Sequence, residues 1–363
     1  MTVTLKDIAR EVGRSVTTVS RALDDYDDVS PETRALVRRV AAEMGYTPSS
    51  LAQRLQKQQA ETIGLILPTF GPRFSDPFFS EFITGVGNQA ADLGYDLLVS
   101  TRPPGESELQ AYRQNVQGRR VDGFIVVRTR REDARIQYLR ESGFPFVAFG
   151  RTEGENDFPY VDEDSQHGMQ LLAEHLLELG HRRIGLIAAP TDLMFTQYRV
   201  QGLSQGLERA GIYLDDRLVR VGDLTQRGGY TQASLLLDLA VPPTAIVACN
   251  DLMAFGAMSA AQERGLEVGR DIAITGFDDI PMAEYSHPPL TTLHQPVYQI
   301  GEKVCLMLIQ RLAGETLEEE HIILRPRLVL RQSSGGAGEL GSTGARGRGS
   351  VAPLMGEKRQ IGG

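Results

Sequence analysis

The feature that most constrains the fold of this chain is an alternation that begins at Thr62. Short β-rich runs, "TIGLILP", "DLLVST", "DGFIVV" and "FPFVAFG", are separated by helical stretches such as "FFSEFITGVGNQAADLGY". Strands that alternate with helices call for βαβ units, whose crossovers make the paired strands parallel. The pattern then restarts. "IGLILP" at 63–68 is echoed by "IGLIAAP" at 184–190, and each is followed by a helix ending in a glycine turn, "LGY" or "AGI". Further strands follow in "TAIVACN" and "DIAITGFDD". The expectation is an α/β core of two Rossmann-like subdomains facing each other across a cleft. Clefts at the carboxyl ends of parallel strands are where small ligands bind.

Residues 1–47 carry a different periodicity. Leu5, Ile8, Ala9 and Val12 fall at i, i+3, i+4 and i+7, one apolar stripe on a short helix. Thr4 with Asp7 reads as an N-cap pair, and Gly13 as a stop. Ser15 caps a second helix that turns Val19, Ala22 and Leu23 inward, and Ser30-Pro31 opens a third that runs to Met44 and stops at Gly45. Three short helices, the first two joined by a tight glycine turn, make an all-α helix-turn-helix headpiece. Between the second and third lies "DDYDD", four aspartates in five residues. A segment this small buries little core, so its exposed face is expected to carry its function.

A net charge of −9 argues against nucleic acid only if it is spread evenly. It is not. Residues 1–59 hold nine Lys/Arg against eight Asp/Glu, and 331–363 hold five against two, so the acidity lies in 60–330. Within 31–59, Arg34, Arg38, Arg39, Arg54 and Lys57 face only Glu32 and Glu43, a mild basic bias.

Other chemistries find little purchase. Cys249 and Cys305 are too few for a disulfide framework or a zinc cluster, and the six histidines show no H-E-x-x-H spacing. No G-x-S-x-G elbow or P-loop occurs. "GVGNQA" at 85–90 matches a dinucleotide fingerprint but follows helical "FFSEFIT" and not a strand, so helix packing accounts for it better. "VDEDSQHG" lacks the glycine and terminal glutamate of a calcium loop. Neither catalysis nor a cofactor is expected. With no run of 18 apolar residues and no signal-peptide pattern at the N-terminus, no membrane association is expected, and the cytoplasm is the expected location. The glycine-rich stretch 331–363 is expected to be a disordered tail.

The segment "TLKDIAREVGRSVTTVSRALDDYDDVSPETRALVRRVAAEMGYTPSSLAQRL" resembles the DNA-binding headpiece of the lactose-repressor (LacI/GalR) family of bacterial transcription regulators. Downstream, "LAEHLLELGHRRIGLI", "CNDLMAFGAM", "ITGFDD" and "PPLTTLHQP" are similar to that family's periplasmic-binding-protein-like core. The resemblance covers roughly residues 3–330 and implies a headpiece at 1–47, a hinge helix or linker at 48–60, and an effector-binding and dimerisation core at 61–330. It implies base contacts from Val16, Thr17 and Arg21, and phosphate contacts from Thr4, Ser15 and Ser20. "PSSLAQRL" resembles the hinge helix, with Ala52 and Leu55 at the minor groove and Leu55 wedged between base steps. Ser49 and Gln53 stand where many members have asparagine and arginine. Asp24 and Asp25 replace the family's asparagine and glycine. Carboxylates repel phosphate, so that loop either points away from DNA or discriminates against wrong sites.

In the core, the resemblance implies that Arg199, Asn250 and Asp278 hold sugar hydroxyls. Phe78 or Phe79 of "DPFF" lies against an apolar sugar face, or both phenylalanines pack inward. Gly150 stands where many members place an aspartate, so Arg151 or Arg73 supplies the first subdomain's polar contact. The implied protein is a homodimeric repressor of carbohydrate-utilisation genes, released from palindromic double-stranded operator DNA by a mono- or disaccharide. Two alternatives stay open: a sugar-binding protein without regulatory DNA binding, and a regulator answering to a non-sugar ligand such as a purine.

Overall fold

The structure is a computed structural model that describes residues 3–46, 59–69, 76–154 and 156–335. Three helices open the chain, α1 (Leu5–Val12), α2 (Val16–Leu23) and α3 (Pro31–Glu43). Their limits are set by the local signals read above. The Asp7 carboxylate accepts hydrogen bonds from the Thr4 backbone N–H (3.0 Å) and hydroxyl (2.6 Å). Gly13 ends α1 with φ 64°, a left-handed turn that favours glycine. The Ser15 hydroxyl accepts from the Thr18 N–H at 3.0 Å, and that of Ser30 from Thr33 at 3.3 Å. Ile8, Val19, Ala22 and Val37 are buried at the centre of the headpiece.

The core contains two parallel sheets. The first has six strands in the order β11-β5-β4-β3-β1-β2, and the second has four in the order β7-β6-β8-β9. The strands of the first are β1 (Thr62–Pro68), β2 (Asp96–Arg102), β3 (Gly123–Val126), β4 (Phe146–Phe149), β5 (Tyr160–Glu163) and β11 (His321–Leu324). The second is built from β6 (Ile184–Ala188), β7 (Val219–Val221), β8 (Ala245–Ala248) and β9 (Ala273–Thr275). Its echo of the first is real: Ile63, second in β1, and Ile184, first in β6, both lie in buried, parallel-paired strands. The first sheet carries separate apolar clusters, one around Leu65, Phe82 and Val304, the other around Ile66, Tyr112 and Phe124.

The connectivity goes beyond two consecutive units. After β5 the chain enters the second subdomain through the helix Ser165–Glu178. It returns between β10 (Thr292–His294) and the helix Val297–Leu312, adds β11 to the edge of the first sheet, and crosses again into β12 (Arg327–Val329), which pairs antiparallel with β10. Three adjacent connections therefore join the subdomains. The returning helix packs on Pro77–Asp92 through small residues. A Cβ on Gly85 would sit 2.2 Å from the Tyr298 carbonyl oxygen, and one on Gly301 would sit 2.6 Å from that of Phe82. "GVGNQA" is thus a helix-packing seam.

The packed chain also continues past the expected boundary at 330. The Ser333 hydroxyl donates to the Ile274 carbonyl (2.6 Å) and accepts from the Thr291 N–H (2.8 Å), while Ser334 meets Thr291 and His175 at 2.8 and 2.9 Å. Residues 331–335, assigned from composition to a disordered tail, belong to the second subdomain because these hydroxyls satisfy its buried polar groups. The remainder of that stretch, and the hinge segment with Ser49, Ala52, Gln53 and Leu55, lie outside the described residues, as does Arg73. Among the described residues, no helix is long and apolar enough to cross a membrane.

Candidate functional site

The headpiece presents α2 outward. Val16 is 39% exposed, Thr17 is exposed, and Arg21 has about half its side chain in solvent (49%). A short helix with its N-terminal residues free is the geometry that enters a major groove. The residues expected to meet phosphates are engaged internally. Thr4 bonds Asp7, Ser15 caps α2, and the Ser20 hydroxyl donates to Asp24 at 3.2 Å. The acidic loop turns back on the headpiece's own cations. Asp28 pairs with Arg21, and Asp25, held at φ 58°, pairs with Arg38 and lies 3.4 Å from Arg34. Here the aspartate occupies a left-handed position that suits the family's glycine.

The second site is the cleft, lined from both subdomains by Asp76, Phe78, Arg128, Arg151, Asp162, Glu163, Phe195, Arg199, Asn250, Asp278 and Gln295, among others. Its empty volume, mouth included, is about 590 Å³. Arg199 is its organising group. It lies between the rings of Phe195 and Phe277, 4.6 and 3.6 Å from their centroids. Its guanidinium donates to Glu163 (3.1 Å), to the Ser165 hydroxyl (3.2 Å) and to the Cys249 carbonyl, with Asp278 at 3.9 Å. Asp278 has φ 122° and accepts from the Gln295 amide at 2.7 Å. Burial lifts its carboxyl well above the usual aspartate range. Asn250 caps the helix Asp251–Glu263 by accepting from the Met253 N–H (3.0 Å) and donates to the Leu224 carbonyl (3.1 Å). Its amide is fixed in place at the mouth of β8.

The first subdomain answers with paired cations. Arg151 donates to Asp162 at 2.7 Å and lies 4.1 Å from the Tyr198 ring across the cleft. Burial, with Glu163 alongside, pushes the Asp162 carboxyl up to about 8. Arg128 donates to Asp76 at 2.6 Å. The wall carrying Arg128 is fixed from behind by the buried Arg135, which donates to Asp133 (2.6 and 2.9 Å), to Glu108 (2.7 Å) and to the Val127 and Arg128 carbonyls. The same wall bonds the second subdomain directly, Met194 N–H to the Thr129 carbonyl and Arg131 N–H to that of Asp192, both at 2.9 Å.

The structure separates the two phenylalanines. Phe79 is fully buried, edge-on to Phe78, whereas Phe78 is half-buried and stacks on Phe149 at 5.9 Å to make an aromatic floor. Gly150 has no room for the family's aspartate, since a Cβ there would lie 2.4 Å from the Thr129 hydroxyl. Arg151, Arg199, Asn250 and Asp278 meet in one cleft with Phe78. Asp76, Arg128, Asp162, Glu163 and Gln295 were missed. Asp76 was within reach, since it begins the quoted "DPFF". Asp162 and Glu163 sit in "VDEDSQHG", which ends β5 and starts the next helix.

A helix-turn-helix headpiece joined to a two-subdomain ligand cleft defines a class, DNA-binding regulators that carry their own small-molecule sensor. Comparison with known proteins agrees. Residues 4–49 match the family described as bacterial regulatory proteins, lacI family, and residues 173–334 match the periplasmic binding protein-like domain. The HTH-type transcriptional repressor CytR of Escherichia coli (strain K12) is 35% identical over 332 residues, 91% of this chain and 96% of that protein. The solved complex of the transcriptional regulator CelR with cellobiose matches at TM-score 0.72 and 33% identity, over 91% of this chain and 99% of that one. The lac repressor dimer bound to operator and the anti-inducer ONPF matches at TM-score 0.80 and 29% identity, over 93% and 100%. This chain belongs to the lacI family of bacterial regulatory proteins and is a DNA-binding transcription regulator.

Proposed function

We propose that the protein is a cytoplasmic, non-enzymatic, homodimeric repressor of carbohydrate-utilisation genes, released from a palindromic operator when an uncharged sugar closes on the cleft. The observation that carries the effector class is the state of the cleft's arginines. Among the described residues, Arg128, Arg151 and Arg199 are each already hydrogen-bonded to an acidic side chain, Asp76, Asp162 and Glu163. Among these three described arginines, a phosphate or carboxylate on the ligand finds none without a partner to displace. Hydroxyl groups find the carboxylate oxygens and amides that remain, and the Phe78–Phe149 floor suits the apolar face of a pyranose ring. The cellobiose complex of CelR supports a sugar in this position, and the repressor CytR supports the sign of regulation. Exposed Leu98 and Val99 on edge strand β2, with Met282 and Tyr285 on the second subdomain, support association with a second copy. A two-fold dimer calls for a two-fold operator. Linkage then requires that operator DNA weaken sugar binding as much as sugar weakens DNA binding.

A thermal-shift panel of neutral sugars, their phosphates and purines tests the reading. The chain has no tryptophan, so an external dye reports the melt. A ligand at 100 times its dissociation constant stabilises the core by about 2.7 kcal/mol. A shift from a neutral sugar alone supports the proposal. A shift only from a phosphorylated sugar or a purine sinks it.

A further inference from the structure

The geometry points to Asp28 as a positioning residue for base readout, one that buttresses Arg21 and thereby sharpens the preference for guanine. The inference rests on the reading that Arg21 contacts a base edge. A guanidinium pairs with guanine bidentately, through two adjacent N–H groups of one edge. Asp28 takes Nη1 of Arg21 from one side, and the Tyr26 ring lies 5.7 Å from the same cation. The edge formed by Nε and Nη2 makes no hydrogen bond to a described residue, so it stays available for a base. A carboxylate that merely competed with DNA would cover that edge.

Asp28 is delivered to this place by the rest of the loop. The Tyr26 N–H donates to the Arg21 carbonyl at 3.0 Å, and the Arg34 guanidinium donates to the Tyr26 carbonyl at 2.9 Å. Asp25 ties the other end to Arg34 and Arg38 of α3. The loop is therefore a brace from α3 to the outward face of α2. An arginine side chain is long and loses much rotamer freedom when it binds. Holding it beforehand, with one edge turned out, removes part of that loss for the one base that accepts both hydrogen bonds. "DDYDD" accordingly works for discrimination between sites.

The test uses the full-length protein and a DNA duplex it selects from a randomised pool. Arg21→Ala first identifies the base pair whose identity no longer matters, and a second duplex changes that guanine to adenine. The readout is the ratio of affinities for the two duplexes, because removing any negative charge near DNA raises binding to both. Asp28→Asn is expected to lower the ratio about fivefold at that base pair alone, the scale of ordering one long side chain. Asp27→Asn removes the same charge from the same loop, at a residue that makes no ion pair with a described residue, and should leave the ratio unchanged. Asp28→Glu keeps the carboxylate and should retain most of the discrimination, which separates bracing from any loss of folding. If Asp28→Asn tightens both duplexes equally, as Asp27→Asn does, the buttress is overturned and Asp28 only repels or competes. If Arg21→Ala relaxes no base pair, the base-reading role of Arg21 falls, and this inference with it.

Discussion

The headpiece and the cleft use the same chemical pair, arginine with carboxylate, in opposite surroundings. Arg21 and Asp28 have 49% and 53% of their side chains in solvent, whereas Arg199 and Glu163 have 5% and 4%. In water such a pair is worth roughly 0–1 kcal/mol, and its members can exchange partners. Buried, the pair is expensive to break, because removing one member leaves an uncompensated charge at about 3–5 kcal/mol. The exposed pairs suit a surface whose cations must stay within reach of DNA. The buried ones suit a frame that must keep its shape while a neutral ligand comes and goes.

That contrast can be broken most directly at Arg199. Arg199→Met leaves Glu163 without its guanidinium and should destabilise the core by about 3–5 kcal/mol in urea unfolding, with the sugar response lost. A cost under about 1 kcal/mol would mean the cleft pair behaves like an exposed one. Next in size is Arg21→Ala, which should weaken operator binding by about 1–3 kcal/mol and relax one base pair per half-site, read by competition with single-substitution duplexes. A uniform loss across sequences would show that Arg21 touches only phosphate.

The third test concerns pH. Burial raises the Asp162 carboxyl to about 8, above its value in the unfolded chain, so the folded core holds a proton that the unfolded chain releases. The associated stability is complete below about pH 4 and is lost as pH rises through about 8. Its slope cannot exceed about 1.4 kcal/mol per pH unit. Asp162→Asn should flatten the pH dependence of unfolding over that window, and an unchanged slope would place the ionised form of Asp162 in the native cleft. The smallest effect is expected from Asp25→Gly. Glycine relieves the left-handed φ of 58° while the exposed pairs with Arg34 and Arg38 are lost, so headpiece stability should change by no more than about 0.5 kcal/mol. A larger loss, measured by headpiece melting, would show that these surface pairs are coupled into a network.

The two regions also differ in how far they could be read in advance. Every headpiece helix begins on a local signal, Thr4 with Asp7, Ser15, and Ser30 before Pro31, and the first ends on Gly13. Such signals act within a turn of helix, so the chain displays them directly. The cleft was legible only where the family's motifs point, at Arg151 beside Gly150, at Arg199, Asn250 and Asp278, and in the "DPFF" segment. Asp162 and Glu163 stayed hidden because β5 has four residues and its neighbours, Phe146–Phe149 and His321–Leu324, flank it from distant parts of the chain. Gln295 stayed hidden because it sits on a crossing between subdomains, which composition does not mark.

The amino-acid sequence by itself determined the elements: a capped three-helix headpiece, two runs of parallel-pairing strands, and the order in which they occur. Periodicity, caps and turns depend on neighbours a few residues away, and those neighbours are fixed by covalent connection. Tertiary structure alone decided which charges are paired and which are free to act. Only packing brings Asp76 to Arg128, Asp162 to Arg151 and Glu163 to Arg199, and leaves one edge of Arg21 turned outward. The strength of each pair then follows from how much water remains around it, a property of the assembled fold.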